Sequence, residues 1–194
     1  LGHRRLSVID LGGGAQPMLT EDERYALSFN GEIYNFQELR KELEAMGHQF
    51  RTHSDSEVIL EAYRAWGPKC VERLHGMFVF ALYDQANRQL LLARDRLGVK
   101  PLYHARLADG SIIFGSELKA LLEHPALRRE PDLAMVDDFL AFGYVPDHGC
   151  IVAGVQKLAA GHYWLLTQGK AEPAPTQYWD LDFSNRGKGS AAEL

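Results

Sequence analysis

Residues 77–84 read Met-Phe-Val-Phe-Ala-Leu-Tyr-Asp, and residues 89–94 read Gln-Leu-Leu-Leu-Ala-Arg. A strand with one wet face alternates apolar and polar side chains, whereas these two are apolar at nearly every position. They are therefore expected to be covered on both faces, which requires layers and not a single exposed sheet. Upstream, Tyr25, Leu27 and Phe29 alternate with Ala26, Ser28 and Asn30, the period of a strand with one well-buried face. Asn30-Gly31 is a strong turn signal, so a turn is expected to end that strand. Residues 4–9 have the β-branched content of a further strand, stopped by Gly12-Gly13-Gly14. Shorter strands are expected at residues 102–106, 112–115 and 163–167.

Two helices carry readable starts. Asn35 followed by Glu38 has the form of a capping box, and Phe36, Leu39, Leu43 and Met46 recur at helical spacing until Gly47. Ser54 with Glu57 repeats the device before Val58, Ile59, Ala62, Tyr63 and Trp66, with Gly67-Pro68 as the stop. Both helices read as amphipathic. Further helices are expected at 117–122 and near 133–142, and no internal repeat is visible. Sheets covered by helices predict a layered α+β sandwich.

The bulk properties agree with one soluble globular domain. The 194 residues, 46% hydrophobic and 24% charged, fit the prior of roughly 100 to 200 residues per domain. A net charge of -5 provides no basic field for nucleic acid or an anionic membrane. No apolar run approaches the ~18 residues of a membrane span, and the opening Leu-Gly-His-Arg-Arg lacks a signal-peptide plan; the reading is cytoplasmic. Cys70 and Cys150 lie far apart, outside any C-x-x-C or Cys/His cluster, and read as small buried side chains. The histidines are scattered, so no metal site is expected. After Trp179 the chain turns small and polar, which predicts a domain over residues 1–180 and a linker over 181–194. Within that tail, Arg186-Gly187-Lys188-Gly189-Ser190 lacks the spacing of a phosphate loop and is rejected as one. The chain opens on Leu, not Met, so the natural start is expected upstream.

His3-Arg4-Arg5-Leu6-Ser7-Val8-Ile9-Asp10, Gly14-Ala15-Gln16-Pro17, Asn30-Gly31-Glu32-Ile33-Tyr34-Asn35 and Ser54-Asp55-Ser56-Glu57-Val58-Ile59 occur in that order. Downstream follow Gly76-Met77-Phe78-Val79-Phe80-Ala81-Leu82-Tyr83-Asp84, Arg94-Asp95-Arg96-Leu97-Gly98-Val99-Lys100-Pro101-Leu102-Tyr103 and Gly115-Ser116-Glu117-Leu118-Lys119-Ala120-Leu121. This ordered set resembles the glutaminase domain of glutamine-hydrolysing asparagine synthetases, a class II glutamine amidotransferase. The resemblance implies a four-layer α-β-β-α sandwich of N-terminal-nucleophile hydrolase type, here truncated at its amino terminus. In that family the nucleophile is a cysteine at the mature amino terminus; neither Cys70 nor Cys150 is terminal, so the chain as written is expected to be inactive.

The resemblance also implies a role for each polar group of the pocket. Arg5 matches the residue that holds the α-carboxylate of glutamine, a task suited to a forked guanidinium. Asn30 and Gly31 match the oxyanion hole, and Glu32 and Asp55 match the acceptors for the substrate ammonium. Leu6 and Val8 match positions that line the pocket through backbone atoms. Arg94 and Asp95 read as a structural pair. Where relatives carry a proline pair, Lys157-Leu158-Ala159-Ala160-Gly161-His162 has two alanines, which predicts a less rigid turn. The implied partners are L-glutamine, a covalently linked synthetase domain and a second copy of the chain, without nucleic acid or membrane. No cofactor is implied for this domain; ATP and Mg2+ belong to the synthetase domain. Two other readings stand beside this one: a related amidotransferase with another acceptor, and a non-catalytic glutamine-binding module.

Overall fold

The computed structural model describes residues 1–3 and 15–182. The expected strand at 4–9, its Gly12-Gly13-Gly14 stop, and the tail from 183 lie outside the described residues, as do Arg5, Leu6 and Val8. The elements are β1 (Met18–Leu19), β2 (Tyr25–Ile33), α1 (Phe36–Ala45), α2 (Asp55–Trp66), a 3-10 turn (Gly67–Arg73), β3 (Gly76–Asp84), β4 (Gln89–Arg94), β5 (Tyr103–Arg106), β6 (Ile112–Gly115), α3 (Leu118–Leu122), α4 (Leu133–Phe142), β7 (Val155–Lys157), β8 (His162–Thr167) and β9 (Thr176–Gln177). One antiparallel sheet runs β1-β2-β3-β4-β8-β9 and the other β6-β5-β7. No helix among the described residues is long and apolar enough to cross a membrane.

Side-chain parity assigns the layers. Leu27, Phe29, Phe78, Phe80, Leu82 and Leu91 share a core with Leu39, Leu43 and Ile59 of α1 and α2. The alternate residues Val79, Ala81, Leu92 and Trp164 pack from the other face of the same sheet against Leu102, Leu158, Ile112 and Phe114. Ile113, whose parity is opposite to that of Ile112 and Phe114, joins Ala105, Val155 and Leu121 on the outer face of the small sheet, beneath α3. The order is helices, large sheet, small sheet, helix, as a sandwich with two doubly covered strands requires. Each fully buried leucine or phenylalanine here contributes about 1.5–3 kcal/mol of transfer free energy.

Several local expectations are corrected. Asn30-Gly31 makes no turn: β2 runs through to Ile33, with Asn30 opposite Val79, Gly31 opposite Phe78 and Ile33 opposite Gly76. The glycine serves a close strand approach. Gly31 has φ 151°, and a Cβ there would fall on the Met77 carbonyl oxygen and 2.6 Å from Phe78 Cα. Gly76 is its counterpart, with a Cβ position on the Glu32 carbonyl oxygen.

Neither capping box closes. The Asn35 amide bridges the Arg73 carbonyl (3.0 Å) and the His75 N–H (2.9 Å), tying the start of α1 to the entry of β3. Ser54 does cap α2 by accepting from Ser56 N–H at 3.2 Å. Glu57, however, turns to the N–H groups of Arg51 (2.9 Å) and Thr52 (2.7 Å). Amphipathicity holds for α1, which buries Leu39 and Leu43, but in α2 every residue from Asp55 to Tyr63 is buried.

Arg94 and Asp95 do not pair with each other. The Arg94 guanidinium binds the Asp147 carboxylate at 2.8 and 3.0 Å and the carbonyls of Leu158, Gly98 and Lys100. The fully buried Asp95 carboxylate instead accepts from the N–H groups of Phe78, Leu97, Val99 and Lys100 at 2.9–3.2 Å. Its main-chain carbonyl also accepts from Gly161 N–H at 2.8 Å, so the turn with two alanines is anchored through Asp95.

Candidate active site

The even-numbered face of β2 lies opposite the helical core and faces the small sheet. Ser28, Asn30 and Glu32 thereby line a cavity of about 1140 Å³, together with Gly31 from the same strand. Asp55 and Ser56, at the start of α2, form its wall on one side, and Phe114 to Glu117 form it on the other. Four of the seven residues singled out from the sequence, Asn30, Gly31, Glu32 and Asp55, therefore meet in one space although they come from a strand and a helix 22 positions apart.

The donors and acceptors are distinct. The Asn30 amide nitrogen donates to Ser116 Oγ at 3.2 Å, which fixes the side chain and leaves the second N–H of the amide for a ligand. Asp55 is buried and accepts from the Ile33 N–H at 3.1 Å. Burial pushes its carboxyl above the ordinary 3.8, and the neighbouring Glu32 charge adds to the rise; the N–H groups of Ile33 and Ser56 oppose it. Glu32 is half-buried, and its carboxylate has no hydrogen-bond or ion-pair partner among the described residues. Two acidic groups thus lie against one wall, with no cation among the described residues paired to either.

Sequence reading missed several lining residues. Gln16 accepts from the Phe29 N–H at 2.6 Å, and His3 Nδ1 lies 3.2 Å from Ser28 Oγ at the rim. Ser116 is the most consequential, because it joins the small sheet to Asn30. Gln16 and Ser116 both stand inside motifs quoted above, which was the available signal. Neither cysteine reaches the cavity: Cys70 is buried in the helical core with its thiol pushed up to about 12, and Cys150 is buried beneath the outer face of the small sheet.

The layered sandwich has the fold of the N-terminal-nucleophile type of glutamine amidotransferase domain. Residues 1–179 match a family described as the glutamine amidotransferase domain, and the chain belongs to that family. It is 40% identical over 185 residues to asparagine synthetase [glutamine-hydrolyzing] 3 of Bacillus subtilis (strain 168), covering 93% of this chain and 30% of the relative. A probable asparagine synthetase [glutamine-hydrolyzing] of Dictyostelium discoideum is 50% identical over 122 residues, 62% of this chain and 22% of the relative. The chain thus spans about 30% or less of the length of these relatives. Among solved structures, glutamine phosphoribosylpyrophosphate amidotransferase from B. subtilis superposes with a TM-score of 0.55 at 19% identity, covering 84% of this chain and 32% of that one. That likeness establishes the shared N-terminal-nucleophile hydrolase fold.

Proposed function

We propose that this chain is the glutaminase part of a glutamine-hydrolysing asparagine synthetase. The observation that carries the reading is the convergence of Asn30, Gly31, Glu32 and Asp55 on one cavity. The ammonium of glutamine sits between Glu32 and Asp55, its α-carboxylate on Arg5, and its chain along the backbone of Leu6 and Val8. The side-chain amide then points at Asn30 and Gly31. A terminal cysteine thiolate attacks the amide carbon, and the carbonyl oxygen gains the negative charge that the Asn30 N–H and Gly31 N–H stabilise. One such donor is worth about 3 kcal/mol in a transition state. The thiol proton, carried by the cysteine's own α-amino group, passes to the amide nitrogen, which leaves as ammonia as the thioester forms, and water then cleaves the thioester to give glutamate and the free thiol. The linked synthetase part uses ATP and Mg2+ to activate aspartate for the ammonia. The cytoplasm is assigned because these substrates are its metabolites.

Since neither Cys70 nor Cys150 lines the cavity, the 194-residue chain is assigned binding without hydrolysis. Isothermal titration of that chain with L-glutamine, and a glutamate-release assay on the full-length protein with an amino-terminal Cys, test both halves of the reading. Saturable binding in the first and turnover in the second are expected. Binding with no turnover in the cysteine-bearing form assigns a glutamine-binding module instead, and no binding in either form overturns the site.

A further inference from the structure

The end of an asparagine side chain carries an amino group and a carbonyl oxygen of nearly the same shape and opposite polarity. An oxyanion is stabilised by the first and repelled by the second, so Asn30 serves such a charge only while its amide is held in one plane and one sense. The side chain cannot hold itself, because the last torsion of asparagine is broad and lacks sharp staggered wells. Pairing of Asn30 with Val79 fixes its main chain and leaves that torsion open. Among the described residues, the one side-chain hydrogen bond of the amide is the 3.2 Å bond from its nitrogen to Ser116 Oγ.

Ser116 is itself well fixed. Gly115, the residue before it, is the last paired position of β6, opposite Tyr103 of β5. A Cβ on that glycine would lie 3.0 Å from Leu121 Cδ1, so the turn is packed directly on α3. Leu121 is in turn buried in the outer core with Ala105 and Val155. The ordinary task of a serine at a helix start is to cap it, but the cap position of α3 belongs to Glu117 and makes no side-chain cap bond. The Ser116 hydroxyl is spent on Asn30 instead, from one sheet to the other and across 86 positions of sequence. Both residues line the same cavity.

Resting on the function proposed above, we infer that Ser116 is a positioning residue for the oxyanion hole: by accepting one N–H of the Asn30 amide it aims the other at the side-chain oxygen of bound glutamine as that oxygen becomes negative. Without the serine hydroxyl, the Asn30 amide turns about its last bond and presents its own oxygen to the same spot for part of the time. The test is the steady-state glutaminase kinetics of the full-length protein with an amino-terminal Cys, run on the parent, Ser116→Ala, Ser116→Thr, Asn30→Ala and the double variant Asn30→Ala, Ser116→Ala. Loss of an oxyanion donor lowers kcat by roughly 100- to 1000-fold. A donor that is present but loosely aimed is expected to lose about tenfold in kcat, with KM changed by less than about twofold. Ser116→Thr keeps the hydroxyl and is expected to recover kcat to within about threefold of the parent. In the Asn30→Ala background, Ser116→Ala is expected to change kcat by less than about twofold, because a residue that acts through Asn30 has nothing left to act on. A loss of folded enzyme would instead lower kcat in both backgrounds alike. An unchanged kcat in Ser116→Ala, a loss confined to KM, or losses that multiply in the double variant overturn the proposal. Any of those results with an active parent leaves the functional reading standing, whereas an inactive parent overturns that reading and this proposal together.

Discussion

Asp55 is held in the wall of the cavity by the Ile33 N–H while burial and Glu32 press it toward protonation. An ammonium ligand requires the ionised form. As pH falls, glutamine affinity is therefore expected to drop in a window above the 3.8 at which an ordinary aspartate titrates; titration calorimetry across pH 4–7 measures it. The folding linkage has the opposite sign. A carboxyl whose pKa is raised by folding opposes the folded state when ionised, and that opposition fades as pH falls through the raised value. Asp55→Asn is accordingly expected to leave thermal stability near the parent while weakening glutamine binding by about 2 kcal/mol, roughly 30-fold. A variant that melts much earlier and binds normally would show that Asp55 is only a helix-terminus acid. Gly31→Ala is the contrasting case: with its Cβ on the Met77 carbonyl, a loss of at least about 3 kcal/mol in a denaturant melt is expected before any question of binding arises. That Asn30, Gly31, Glu32 and Asp55 share one cavity was legible through motif order. Ser116 also stands in a quoted motif, but its place at the cavity was not legible, because its hydrogen bond to Asn30 spans 86 positions.

At the scale of elements, periodicity located both covered strands and the two long helices, because burial on a face repeats at the period of the backbone. The failures share a cause: a polar side chain near an element end has several partners within reach, and tertiary structure selects among them. Glu57 bonds the chain before α2 and not its cap residue. Arg94 and Asp95 are neighbours at a strand end, where successive side chains point to opposite faces, so adjacency worked against the expected pair. Asp95 instead organises a loop by accepting four N–H groups. Asp95→Ala is expected to cost at least about 3 kcal/mol in urea unfolding, since it leaves several donors unpaired at once. Leu82→Ala, a deletion in the helical core, is expected to cost about 2–5 kcal/mol. A loss at Asp95 below 1 kcal/mol would mean that water replaces the carboxylate and the loop has no central anchor.

For the molecule as a whole, the large sheet divides two cores, and the cavity lies where the small sheet faces the far end of β2. A ligand bound there touches three layers: β2 of the large sheet, the start of α2, and, through Asn30, Ser116 after β6. It therefore adds contacts among parts already joined by packing and by the Ile33–Asp55 and Asn30–Ser116 hydrogen bonds, and its binding free energy adds to the stability of the folded state. At a concentration 100 times its dissociation constant, a ligand contributes about 2.7 kcal/mol. For a domain of this size that corresponds to a rise in melting temperature of roughly 5–10 °C. L-glutamine is expected to produce that rise in a scanning calorimeter. D-glutamine, which presents the amide but misplaces the ammonium relative to Glu32 and Asp55, is expected to produce less than a third of it at the same concentration. Equal shifts for the two enantiomers would mean that the carboxylate pair does not read the α-carbon, and the assignment of Glu32 and Asp55 to the ammonium would fall.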